Sequence, residues 1–143
     1  MVGQVGIMSE RLDEAYIWVR QNLFSEWDED GAWKIIEGCG PKYYKKHPSE
    51  WQEEGAYYGG ECDSDNKHIY ISPPYLEGKS DDEMHELIVH EIAHAISSKS
   101  HREEGGWPLE MRKAAERAKN VVEVKLADLI EGDRKSYEGV EEL

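Results

Sequence analysis

From residue 10 to residue 24 the apolar side chains Leu12, Ala15, Tyr16, Val19 and Leu23 recur at every third or fourth position. That is the period of a helix that buries one face, and with Ser9 placed as a cap it predicts an amphipathic helix over Glu10 to Phe24. The acidic group Glu26, Asp28, Glu29 and Asp30, followed by Gly31, ends it in a turn. This group is expected to be a solvated loop, because its spacing lacks the ligand order of a calcium site. The next stretch is short and rich in large and β-branched residues. Ala32 to Glu37 reads as a strand closed by Gly38-Cys39-Gly40-Pro41, and Lys42 to Gln52, basic, aromatic and broken by Pro48, reads as surface. Ala56 to Cys62 and Lys67 to Ser72 predict an antiparallel hairpin about Asp63-Ser64-Asp65-Asn66. In its second strand Ile69 and Ile71 share the face expected to meet the core, while His68, Tyr70 and Ser72 share the other.

Pro73-Pro74 stops that strand and the helical period returns at Ser80. Ser80 and Glu83 have the spacing of a capping box, and Met84, Leu87, Ile88, Ile92 and Ala95 form the apolar stripe of the helix that follows. His85 is read as surface. After Ile96 a polar run leads to Gly105-Gly106, and Pro108 suits the first turn of another helix. Met111, Ala114, Ala115, Ala118, Val121, Val122, Leu126 and Leu129 continue at helical spacing, so Leu109 to Ile130 is one long helix or two joined near Asn120. The charged residues beyond Gly132 are expected to fray. The resulting class is α+β, a small antiparallel sheet packed on helices, with residues 1–8 and 133–143 as flexible ends of a single domain spanning 1–143.

Composition narrows the partners. A chain of 143 residues is long enough for a single core. No apolar run approaches the ~20 residues that span a bilayer, and Met1 to Met8 lacks a basic region leading into an apolar one, so no membrane partner and a cytoplasmic location are expected. The formal charge of −14 repels phosphate backbones, which argues against direct nucleic-acid binding. Cys39 and Cys62 are too few and too far apart for a disulfide framework or a zinc ribbon and are expected to be reduced thiols. A monomer is expected.

The chemistry lies inside the capped helix, in His90-Glu91-Ile92-Ala93-His94. Residues four apart share a helical face, so His90 and His94 can turn two imidazoles toward one ion with Glu91 beside them. Shuffling this composition yields the same five-residue pattern about 4% of the time, so the cap and the apolar stripe around it matter to the inference. Catalytic zinc takes three protein ligands and keeps a position for water. His101, Glu103, Glu104 and Glu110 follow closely enough to supply the third; His101 is the first choice and Glu103 the second. Glu91 is then the general base for hydrolysis of a peptide bond, and the strand Lys67 to Ser72 is a candidate edge for pairing an extended substrate.

With Trp107 downstream and the hairpin upstream, this motif resembles the SprT-like zinc metallopeptidases, the group that includes Spartan-type proteases, over roughly Tyr57 to Ala118. The resemblance implies a minimal zincin-like core, a zinc cofactor and a protein or peptide substrate. In that family a histidine usually stands four positions before the downstream aromatic residue, where this chain has Glu103; some relatives carry one two positions earlier, at the place of His101. The cysteine pairs of the family's frequent C-terminal zinc ribbon and a basic tail are missing, so action on DNA-bound proteins is not carried over. Two rival readings remain: a regulatory zincin of the ImmA/IrrE type that cleaves a specific repressor, and a non-catalytic domain whose zinc is closed by His90, His94, His101 and Glu103.

Overall fold

The structure is a computed structural model that describes residues 2–38, 40–41, 60–72, 79–97, 106–121 and 124–136. Along them run α1 (Val2–Leu23), β1 (Lys34–Glu37), β2 (Gly60–Asp63), β3 (His68–Ile71), α2 (Asp81–Ser97), α3 (Trp107–Asn120) and α4 (Val124–Ser136). The architecture is α+β, as the periodicities predict. Cys39, the stretch Lys42 to Gln52 and the first residues of the predicted hairpin lie outside the described residues.

In α1, Leu12, Ala15, Tyr16, Val19 and Leu23 are all buried, which is the face expected from their spacing. The helix begins at Val2, so Ser9 falls within it instead of capping it. Its C-terminus is closed from a distance: the Arg117 guanidinium donates to the Leu23 carbonyl at 2.7 Å, satisfying one of the acceptors that a helix end leaves over. The acidic turn that follows is not wholly solvated. Asp28, at φ 54°, has a side chain only 2 % exposed, and its carboxylate accepts from the backbone N–H groups of Ala32 and Trp33 at 2.9 and 3.0 Å. Arg20 donates to the Asp28 carbonyl at 2.6 Å. The turn is therefore a fastening that sends the chain into β1.

β2 and β3 form the predicted antiparallel hairpin, with Gly60 opposite Ile71 and Asp63 opposite His68. Asp63 accepts from the Asn66 side-chain amide at 2.8 Å across the turn. β1 joins β3 in parallel, Lys34 opposite His68, so the sheet is mixed and its order is β1-β3-β2. Ile69 and Ile71 are fully buried, while His68 and Tyr70 on the other face are half-buried. β3 is thus the central strand and cannot serve as the substrate edge proposed for it; β1 and β2 flank it on both sides.

The capping box forms as spaced: the Glu83 N–H donates to Ser80 Oγ at 3.2 Å and the Ser80 N–H to Glu83 Oε1 at 3.0 Å. α2 then runs through the middle of the molecule, in contact with α1, α3, α4, β2 and β3. That centrality widens its buried surface beyond one stripe. Met84, Leu87, Ile88 and Ile92 are buried as expected and Val89 and Ala93 join them, while Ala95 is only half-buried. His85 is no bare surface residue; its ring stacks on Trp18 at 4.8 Å between centroids.

The last helical stretch is two helices, with Pro108 in the first turn of α3 and a break after Asn120. Met111, Ala114, Ala115 and Ala118 of α3 and Leu126, Ala127 and Ile130 of α4 are buried. α4 does not fray at Gly132 but continues to Ser136, with Arg134 buried and paired to Glu131 at 2.9 Å.

Candidate metal and catalytic site

α2 turns His90 and His94 to one side, one turn apart, with their ring centroids 5.0 Å from each other. Imidazoles that share a tetrahedral zinc through nitrogens at about 2.0–2.1 Å have centroids about 5 Å apart, so the spacing fits a common ion. Both rings lie against Trp107, the fully buried first residue of α3, at 4.9 Å for His90 and 5.6 Å for His94. The indole also donates through Nε1 to the His90 carbonyl at 3.1 Å. Trp107 therefore braces the helix at the level of the two histidines, by ring contact and by hydrogen bond.

The protonation chemistry is set from α4. His90 Nδ1 lies 2.8 Å from Asp133 Oδ2, with the two side chains 12 and 13 % exposed. With Nδ1 engaged there, Nε2 is the ring nitrogen left to a metal ion. Burial pushes the His90 imidazole down, but the Asp133 hydrogen bond and the charges of Glu91, Asp133 and Glu86 outweigh it and leave the pKa raised above 6.5. Glu86, one turn before His90, is pushed from 4.5 up to about 8, first by burial and then by the neighbouring charge of Asp133 and a hydrogen bond to it. Its surroundings therefore favour the protonated carboxyl. Nothing local announced Asp133; the recurrence of Leu126, Ala127, Ile130 and Asp133 at helical spacing was the available signal.

Glu91 is 5 % exposed and buried against the first residue of β2. A Cβ placed on Gly60 would stand 3.0 Å from Glu91 Cγ and Oε2. That is tighter than an ordinary contact, so the strand backbone lies directly over the carboxylate and a side chain here would press on it. This too escaped the sequence reading, in which Gly60 was only part of a strand.

The two imidazoles and Glu91 are the part of the site that the described residues bring together. Among the described residues no group of three His, Cys, Asp or Glu side chains is disposed to hold a metal, and Glu110, engaged with Lys113 at 3.5 Å, does not complete one. His101, Glu103 and Glu104 lie outside the described residues. Cys62 is a half-buried thiol on β2, 3.8 Å from Ser64 Oγ. No helix among the described residues is long and apolar enough to cross a membrane.

Comparison with curated proteins found no match. Residues 21–127, from the last turn of α1 to the first turn of α4, match the SprT-like family, and the chain belongs to it.

Proposed function

We propose that this protein is a zinc-dependent metallopeptidase acting on protein or peptide substrates. Membership of the SprT-like family suggests a zincin-like, metallopeptidase-type domain. The observation that carries the finer reading is the pair of imidazoles 5.0 Å apart on α2, with the Glu91 carboxylate buried beside them beneath Gly60. His90 and His94 would hold the metal, with His101, or Glu103 in its place, as third ligand. Bound zinc supplies acidification of a water toward a pKa of ~7 and polarisation of the scissile carbonyl.

The chain's own residues do the rest. Glu91 takes a proton from the attacking water and delivers it to the leaving amine, a transfer that needs a carboxylate fixed in place and shielded from solvent. Gly60 and the β2 backbone give it that fixed seat. Among the described residues β2 ends the strand order β1-β3-β2 on the side that carries Gly60, which makes it the candidate strand for aligning an extended peptide with its carbonyl near Glu91. Trp107, which donates to the His90 carbonyl and lies against both rings, braces α2 at the level of the two imidazoles.

Metal analysis joined to a peptide-library cleavage assay, with and without chelator, tests the reading. Glu91→Gln is expected to retain zinc and lose hydrolysis by ~10²-fold or more, and His94→Ala to lose the metal. A zinc-loaded protein that cuts no peptide, or a Glu91→Gln variant that turns over normally, would replace the enzyme with the non-catalytic zinc domain.

A further inference from the structure

We infer that Asp133 is the positioning residue for His90: from α4 it orients the imidazole through Nδ1 so that Nε2 is presented to the metal. The inference rests on the proposed zinc site and deepens it. α4 is anchored to the core by Leu126, Ala127 and Ile130, each fully buried. Position 133 follows Ile130 by three and Leu126 by seven, which puts it on that same inward face. Asp133 is therefore delivered to His90 by packing, and its 2.8 Å contact is not the chance reach of a surface carboxylate. Both partners are shielded, so the contact fixes ring orientation where water cannot substitute for it. A carboxylate at Nδ1 also makes the opposite nitrogen a better ligand.

The position carries a further meaning. The match to the family ends at residue 127, six positions before Asp133. In this chain the α4 segment beyond the matched region thus reaches back 43 positions to a ligand on α2. The competing explanation is a purely structural contact holding α4 on α2. A structural contact affects folding stability and leaves the zinc affinity of the folded molecule unchanged.

The full-length chain is compared as wild type, Asp133→Ala, Asp133→Asn and Asp128→Asn, measuring zinc affinity by competition with a chromogenic chelator. The state of the His90 ring is read by 15N NMR of the zinc-free protein with the imidazole neutral. Asp128 lies on the exposed side of α4, so its variant removes the same charge without touching His90. Asp133→Ala is expected to weaken zinc by ~10–100-fold, Asp133→Asn by less, and Asp128→Asn by no more than about twofold. The His90 ring is expected in the Nδ1-protonated form in wild type and as a mixture in Asp133→Ala. Asn is close to isosteric, so if Asp133→Ala fails to fold, Asp133→Asn carries the test. Wild-type affinity in both Asp133 variants, or an equal loss in Asp128→Asn, overturns the inference. If zinc weakens as expected but the wild type cuts no peptide, the peptidase fails and Asp133 stands; normal turnover with zinc affinity indifferent to Asp133 gives the reverse. Zinc affinity unchanged in His94→Ala overturns both.

Discussion

Gly60→Ala puts the seat of Glu91 to a direct test. Gly60 is paired with Ile71 in the β2–β3 ladder and has no positive φ, so alanine can take its backbone conformation without strain. The new methyl group would meet Glu91 Cγ and Oε2 at 3.0 Å and Cδ at 3.2 Å. Comfortable carbon contacts begin near ~3.5 Å, so the carboxylate or the strand must give by about 0.5 Å. Misplacement of a reacting group by 1 Å can remove about 10²-fold in rate, and half of that displacement corresponds to roughly tenfold. The cost of overpacking, about 1–3 kcal/mol, is partly offset by the ~0.4–1 kcal/mol gained from stiffening the unfolded chain, so the protein should remain folded. Measured on a peptide drawn from the cleavage library, kcat is expected to fall about tenfold while zinc content stays at the wild-type level. A kcat within twofold of wild type would refute the claim that the β2 backbone seats Glu91, and a parallel loss of zinc would show that the methyl acts on the ligands instead.

Gly132→Ala, at an open position inside α4, is expected to stabilise the protein by about 0.5–1 kcal/mol in thermal or urea unfolding; no gain would contradict a helix running through to Ser136. Asp28→Ala strips the Ala32 and Trp33 N–H groups of their acceptor and is expected to cost about 2 kcal/mol, lowering Tm by roughly 5–10 °C without changing zinc affinity. The zinc-free protein is expected to lose stability as pH rises from about 4.5 to 8, because folded Glu86 still holds a proton that the unfolded chain has released. Raised His90 acts in the same direction, its contribution being present below 6.5 and lost as pH climbs through the folded value. The slope approaches at most about 1.4 kcal/mol per pH unit for each group, and Glu86→Gln should flatten it in denaturant titrations at several pH values.

What depends on neighbouring residues was readable from the chain alone. The Ser80–Glu83 box, the Asp63–Asn66 turn, the alternation that buries Ile69 and Ile71, and the one-turn spacing of His90 and His94 are all local relations. What depends on chain segments meeting in space was not. Asp133 approaches His90 across 43 positions, Arg117 closes α1 across 94, and Gly60 meets Glu91 only because β2 packs on α2. Asp28 was misread for a related reason: an acidic side chain in an acidic run resembles solvated surface until the backbone donors it faces are known. Gly132, a poor helix former, suggested an end that the packing of Ile130 and Arg134 overrides.

The parallel placement of β1 also bears on how the chain reaches its fold. Asp63 and His68 of the hairpin are five positions apart, whereas Lys34 meets the same His68 from 34 positions away. Hairpins close in roughly 1–10 μs, while distant pairing must first bear the entropy of closing a long loop. The hairpin, with Gly60 in it, is thus expected to form early and β1 to join later, paired among the described residues with β3 alone and packed on α1. In hydrogen exchange the amides of β1 should open before those of β3, so the strand farthest from Glu91 would be the first to come away as the protein begins to unfold.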